Sequence, residues 1–478
     1  MVERLASVAA AAMGGEVFAG EPATRWRGAA IDSRRIGGGE IFFALAGERT
    51  DGHAFVPQAV AAGASAVVVH RDTEPIVGSD AAWIRVEDTY RGLHDLTRAV
   101  RAEVPDQLVG ITGSAGKTTT KEILAAMLAR RFRAERSPGN LNNLYGFPLS
   151  LLNIDDACEW MVAEMGMSTP GELRQVSLLG RPEAAVFTNV RPVHLENFRH
   201  LRDIADAKSE LLAGLAPGGL VIANADDPEV MFLVDRHRGA EASAGCRYVT
   251  YGVASPADVT ARAIEPLGDS PGSRFELTVS EAESRTTASV PIELPLHGSY
   301  NVENCLAAAA CAHALGVPLV EIAAAVAQLE SSSMRGQVHR LDPGVVIDDS
   351  YNSNPDAACK ALASARQIPA PRYVAILGDM LELGPDTPAF HRQVGTHAAE
   401  LDFGLVVGVG ELSRELVAAA ELGGIATRWF ADADSVARWV STAPEELSPK
   451  DLTLVKGSRG VGLEGVVRAL LARAGGAS

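Results

Sequence analysis

Short apolar runs recur along the chain, each closing in glycine or polar residues, and most are followed by a stretch whose apolar positions lie three and four apart. That alternation predicts strands and helices in turn, and hence an α/β chain. The clearest instance is Leu108 to Lys121, LVGITGSAGKTTTK. Leu108, Val109 and Ile111 make the strand, a glycine-rich turn ends at Gly116-Lys117-Thr118, and Ile123, Leu124, Met127 and Leu128 make the stripe of a helix.

Ahead of that stretch, IFFAL (41–45), AVVVH (66–70) and AWIRV (82–86) are expected to be buried strands, with FVPQAVAAGA a helix between the first two. The Ala-rich LASVAAAAMGG follows Glu3 and Arg4 and runs straight into a globular pattern, so a docked first helix is expected rather than a secretory segment. Behind it, WMVAEMGM, AAVFTNV and LVIAN (220–224) are further strands. Residues 257–296 change to alternating runs (ARAIEPL, RFELTVS, ASVPIEL), as an antiparallel β insert would. Ala-rich helices are expected over Asn301 to Leu315 and Leu319 to Leu329. VVIDDSY, YVAILGDM, LVVGVG and LTLVKGS then predict a small doubly wound domain.

A chain of 478 residues, 47% hydrophobic, is too long for one core and suits about three domains. The breaks are expected to give 1–103, 104–340 and 341–478, the second falling in the linker SSSMRGQVHRLDPG with Arg335 and Arg340. A net charge of −17 speaks against nucleic acid as a partner, which needs a basic surface. Five cysteines with no C-x-x-C pair indicate neither a disulfide framework nor a zinc knuckle, and fit a reducing, cytoplasmic setting. The longest apolar stretch, Cys305 to Leu329, is broken by His313, Pro318 and Glu321, so no membrane span is expected.

The chemistry starts at the glycine turn. Glycines let backbone N–H groups approach an anion, and the helix N-terminus adds a favourable dipole, so a phosphate cradle is expected, with Lys117 on the terminal phosphates and Thr118 on Mg²⁺. The pattern G-x-x-x-x-G-K-[ST] is not met, because Ile111 stands where its first glycine belongs. Glu164 and His194 follow buried strands, where ligands gather in nucleotide-binding sheets, although such residues can be purely structural. Lys208, beside Glu210, looks by composition like a solvated lysine on a surface helix. Asp348, Asp349, Tyr351, Asn352, Asn354, Asp379 and Lys456 end strands of the third unit, where turn chemistry alone also favours Asp and Asn. Ser33 and Arg34 open a polar, Gly-rich loop of a kind that is more often solvated than binding.

The order TGSAGKTTTKE, SPGNLNNLYGFPLSLL, EMGMSTPGEL, TNVRPVHLE, AKSE, HGSYNVENCLAA, DDSYNSNPDA, LGDMLELG and KGSRGVGLE closely resembles the Mur ligases of peptidoglycan synthesis across all three units. The resemblance implies a central P-loop ATP-binding α/β domain, a C-terminal Rossmann-like α/β domain that binds the incoming group, and an N-terminal domain for the UDP end of the substrate. Its phosphate loop is a Gly-x-x-Gly-Lys-Thr variant, which accounts for Ile111. LGDMLELG and DDSYNSNP favour the dipeptide-adding reaction, in which ATP activates the carboxylate of UDP-N-acetylmuramoyl-tripeptide and D-alanyl-D-alanine attacks the acyl phosphate. The nearest rival, a ligase for the third residue, carries in its diaminopimelate-type members an Asp-Asn-Pro-Arg motif that is missing here. A folate polyglutamate ligase would lack this N-terminal domain. A non-catalytic nucleotide-binding regulator is disfavoured by the presence of Lys117, Thr118, Glu164 and Lys208.

By resemblance, Gly113, Ser114, Ala115, Gly116, Lys117, Thr118 and Thr119 hold the phosphates, while Thr118, Glu164 and His194 belong to the metal. Lys208 matches a lysine that relatives carry as an N-carbamate, a ligand for a second Mg²⁺. Lys117, Lys208 and His194 are thereby the catalytic candidates. Asn301, Asn304, Arg335 and Asp349 match positions at the nucleotide, Asn352 and Asn354 positions at the dipeptide face, and Ser33 and Arg34 the uridine end. Arg191 departs from the pattern, standing where relatives usually have a small residue, and Phe198-Arg199-His200 stands in place of Phe-Gly-Ser. A monomer is expected.

Overall fold

The computed structural model describes residues 3–475 apart from 48–49, 71–72, 104–106, 269–270, 282–285 and 443–444. The expected break at 103/104 therefore abuts residues outside the described set.

The first sheet runs in the order Glu16–Ala19, Ala82–Arg85, Ala66–Val69, Ile41–Phe43, Ala29–Ala30, all parallel but for the antiparallel first strand. The expected strands are there. Their apolar runs are unbroken because both faces are covered: Ile41, Phe43, Val68 and Ile84 pack on one side, Phe42, Val67, Val69 and Trp83 on the other. The helix Ala6–Ala12 buries Ala6, Ala9 and Ala10, the spacing of one helical face. This unit is fastened to the next by the short helix Gly146–Leu152, which sends Leu149 and Leu152 into the first core. Asn153, just beyond it, bonds both backbone groups of Ala29 at 3.0 and 2.9 Å.

The second sheet has nine strands in the order Thr286–Leu294, Ser273–Glu281, Val259–Pro266, Arg247–Gly252, Leu220–Asn224, Ala184–Phe187, Gln107–Thr112, Trp160–Glu164, Ala134–Arg136. Residues 257–296 are thus no separate insert. The strand Val259–Pro266 pairs in parallel with Arg247–Gly252, and two antiparallel strands extend the same sheet. The physical reason is burial on one face: Val259, Phe275, Leu277, Ile292 and Leu294 share a core with the central strands and with the helix Tyr300–Ala314. Every residue from Cys305 to Ala312 in that helix is buried, as its Ala-rich sequence permits.

The third sheet runs Gln337–Leu341, Gly344–Asp349, Leu452–Lys456, Tyr373–Gly378, Leu405–Val409, Ala426–Phe430, parallel except at the first strand. Two strands escaped the sequence pattern. Gln337–Leu341, expected in the linker, is half-buried and mostly polar, with only Val338 and Leu341 apolar, yet pairs with Gly344–Asp349. Ala426–Phe430 is a partly exposed edge strand whose Thr427 and Arg428 break the apolar run. Among the described residues, no helix is long and apolar enough to cross a membrane.

Candidate active site

The strand Gln107–Thr112 delivers the chain to a turn that glycine alone can make. Gly113 has φ +151° and Gly116 φ +83°; a Cβ would fall 1.8 Å from Thr188 Oγ1 at the first and 2.2 Å from Asn304 Oδ1 at the second. The loop is strapped to the segment after strand Ala184–Phe187. Ala115 N donates to Asn189 Oδ1 at 2.9 Å, Thr188 Oγ1 to the Ala115 carbonyl at 2.6 Å, and Ser114 Oγ to the Arg191 carbonyl at 3.0 Å. Lys117 opens the helix Lys117–Leu128 and folds back to give a 2.7 Å bond to the Gly113 carbonyl.

Glu164 ends its strand opposite Ile111 and is 3% exposed. Its oxygens accept from the Thr118 hydroxyl at 2.6 Å and from the Asn142 amide at 2.7 Å. Lys121 is fully buried one helical turn after Lys117 and clamps the neighbouring loop through the Ser137 and Gly139 carbonyls, at 2.7 and 2.9 Å.

Lys208 is not the solvated residue its helix composition suggests. It is 3% exposed, and burial pushes its amine well below the ordinary lysine value; the Lys117 charge adds to that push while Asp227 opposes it. Burial lowers Lys117 as well, against Glu164 and with Arg335. The opposing pull of Asp227 is blunted because this buried carboxylate already accepts from Arg191 Nη1 at 2.5 Å and Val190 N at 2.9 Å, and caps the helix Pro228–Arg238 through Glu229 N and Val230 N.

His194 adopts a left-handed backbone, φ 56°, and its Nδ1 lies 2.5 Å from Glu382 Oε2 of the third domain. The Glu382 carbonyl accepts from Leu195 N at 2.9 Å, and the imidazole holds the Glu382 carboxyl below its ordinary range. His194 therefore stands with a third-domain acid rather than with Glu164. Among the described residues, no three His, Cys, Asp or Glu side chains converge to hold a metal on their own.

The third domain supplies the facing wall. Asp349 and Lys456 end adjacent strands in register, and Lys456 Nζ bonds Asp349 Oδ2 at 2.6 Å and the Asn352 carbonyl at 3.0 Å. The Arg335 guanidinium lies 3.9 Å above the Tyr351 ring. Asn354 Oδ1 caps the helix Pro355–Ala365 by accepting from Ala357 N at 2.9 Å, so its turn role is met at the same time.

Together these groups enclose a cavity of about 440 Å³, lined by the phosphate loop, Glu164, His194 and Lys208 on one side and by Arg335, Asp349, Asn352 and Asn354 on the other. Asn304 lines it; Asn301 does not, but accepts from Asn304 Nδ2 at 3.0 Å and anchors itself on the His297 carbonyl at 2.7 Å. Ser33 and Arg34 lie outside it, in the first domain. Ser33 is buried and bonds Gln58 at 2.8 Å, while exposed Arg34 folds onto Asp32 at 2.7 Å. Asn142, Glu382 and Asp227 had no role by sequence; the only hints were the GNLNN cluster and the acids that follow two strands.

One wall carries the phosphate loop with Lys117 and Lys208, and the third domain carries the facing wall. A phosphate loop facing the strand ends of a second α/β domain is the arrangement of a nucleotide-dependent enzyme. Residues 26–101, 111–312 and 334–459 match, in turn, the Mur ligase family catalytic domain, the Mur ligase middle domain and the Mur ligase glutamate ligase domain. The chain is 34% identical over 440 residues to the UDP-N-acetylmuramoyl-tripeptide--D-alanyl-D-alanine ligase of Escherichia coli K12, covering 92% of each. A crystal structure of MurF from Acinetobacter baumannii is similar with a TM-score of 0.83 at 30% identity over 99% of both chains. The ADP complex of MurF from Thermotoga maritima gives 0.77 at 25% identity, over 95% of this chain and 99% of that one. The chain belongs to the Mur ligase family.

Proposed function

We propose that the protein joins D-alanyl-D-alanine to UDP-N-acetylmuramoyl-tripeptide in cytoplasmic peptidoglycan precursor synthesis, using ATP and releasing ADP and phosphate. The observation that carries this is one cavity lined by both the phosphate loop and the strand ends of the third domain, in a chain similar along 92% of its length to a ligase of that name. Because the strand Gln337–Leu341 belongs to the third sheet and the family match begins at 334, the second break falls ahead of the expected 340. We assign residues 1–103, with Ser33 and Arg34, to the uridine end, 104–333 to ATP, and 334–478, with Asn352 and Asn354, to the dipeptide.

The tripeptide carboxylate attacks the γ-phosphorus of ATP, ADP leaves, and an acyl phosphate forms. The dipeptide amine then adds to the acyl carbon, loses a proton, and the tetrahedral adduct expels phosphate to leave the amide. Negative charge accumulates on phosphate and carbonyl oxygens in both steps, so preorganised positive groups do most of the stabilising. Lys117 exchanges the Gly113 carbonyl for phosphate oxygens. Asn304 borders the nucleotide with Asn301 behind it, and Arg335 and Asp349 close on it from the third domain.

The residues present also fit Mg²⁺. Thr118 Oγ1 and Glu164 Oε2 are hard oxygen donors already 2.6 Å apart, and Mg²⁺ beside phosphates needs few protein ligands. When bound, the ion would offset charge on the transferring phosphoryl group. His194 would join that pair only by exchanging Glu382 as its partner. Burial that favours the neutral amine suits Lys208 to add to CO₂ and lose a proton, which would give a carbamate, a carboxylate-like ligand. Incubation with ATP, Mg²⁺ and both substrates is expected to yield a product heavier than the tripeptide nucleotide by D-alanyl-D-alanine less water in mass spectrometry; no such product would overturn the assignment.

A further inference from the structure

The helix Pro355–Ala365 carries Asp356, Lys360 and Ser364 four residues apart, and hence on one face. Each meets the middle domain. Asp356 Oδ2 lies 3.6 Å from Arg191 Nε, Lys360 Nζ lies 3.4 Å from Glu303 Oε1, and the Ser364 backbone lies against the His297 imidazole. Lys360 also pairs with Asp356 at 3.6 Å along the helix. Asp227, Arg191, Asp356, Lys360 and Glu303 thus alternate in charge and cross between the domains twice. The middle-domain end is rigid, because Arg191 holds the fully buried Asp227 at 2.5 Å and exchanges backbone bonds with Ser114 of the phosphate loop, at 2.8 and 3.0 Å. The third-domain end leads into the cavity, since the same helix starts at the cap Asn354.

We propose that Arg191 is a positioning residue for the ligase reaction, using its planar fork to join Asp227 to Asp356 and so to seat the third-domain wall against the phosphate loop. A guanidinium presents several donors in a fixed plane, so it can serve two carboxylates in a set direction, whereas a lysine ammonium is a point charge without that fixed geometry. The step it serves is the meeting of amine and acyl phosphate, which are held by different domains and lose rate steeply with misplacement. Arg191 does not line the cavity. This inference rests on the cavity being the ligase site.

The test compares the wild-type chain with Arg191→Lys, Asp356→Asn and the double variant, measuring kcat, the KM of each substrate and the radius of gyration with an ATP analogue and the tripeptide nucleotide bound. Arg191→Lys keeps a cation on Asp227 at a residue outside the cavity lining, and Asp356→Asn keeps the shape of a partly exposed side chain that also borders the cavity. Folding is therefore preserved in at least one arm, and the Arg191 variant carries the positioning claim. Each single change is expected to lower kcat about tenfold and raise the dipeptide KM, to leave the tripeptide nucleotide KM unchanged, and to enlarge the particle; the double variant is expected to be no worse than either single one. Unchanged kcat in both single variants, or effects that multiply in the double, would overturn it. Product formation by the wild type carries the ligase assignment separately, so an inactive wild type would refute that assignment and not the link through Arg191.

Discussion

Lys208 shows how a residue's chemistry follows from its face rather than its neighbours in sequence. In LRDIADAKS it sits among charges, yet it lies four residues after Ile204 on the buried stripe, and that spacing was the overlooked signal. Its lowered amine basicity leaves more neutral amine at a given pH, the form that reacts with CO₂. Lys208→Ala is expected to abolish turnover and to regain part of it with added short carboxylic acids; near-normal activity without them would exclude the carbamate. His297 makes a second residue-scale prediction. Burial lowers its imidazole from 6.5 to about 4, so the unfolded chain binds a proton across that interval that the folded chain refuses. Stability is therefore full above the upper value, falls as pH drops through the interval, and levels off below about 4, a loss of about 3 kcal/mol at most. Thermal midpoints followed over that range should fall less in His297→Gln than in the wild type.

At the scale of elements, the strand, loop and helix around Gly116 were legible because glycine conformation, apolar period and the Lys-Thr pair all point the same way. The close approach of Asn304 to Gly116 was not, since it joins positions far apart in sequence. Gly116→Ala places a methyl group 2.2 Å from Asn304 Oδ1 on a left-handed backbone, and is expected to weaken ATP-analogue binding about tenfold or more by calorimetry, with the fold retained. The half-polar strands Gln337–Leu341 and Ala426–Phe430 were hidden for a plain reason: one lies at each edge of the third sheet, where neighbours and solvent share the side chains. The alternating strands of 257–296 were recognised as strands, but their membership of the central sheet depends on pairing at Tyr251 and Gly252, which periodicity does not reveal.

Across the whole molecule, sequence motifs named most of the cavity's walls, while only the structure shows how the domains are held. The first domain is pinned by Leu149, Leu152 and Asn153, and the third by contacts at His194, Arg191 and Glu303. The surface ion pairs among these are individually weak and screened by salt, so the seat of the third domain depends on their acting together with the Arg191 anchor on buried Asp227. The central claim is that phosphate transfer in this cavity serves amide formation with a dipeptide. Phosphate release by the wild-type chain with ATP, Mg²⁺ and UDP-N-acetylmuramoyl-tripeptide is its most direct test, with the amine acceptor as the variable. Release that depends on D-alanyl-D-alanine, and that a diamino acid does not support, is the predicted result; release indifferent to the dipeptide, or none above background, would contradict it.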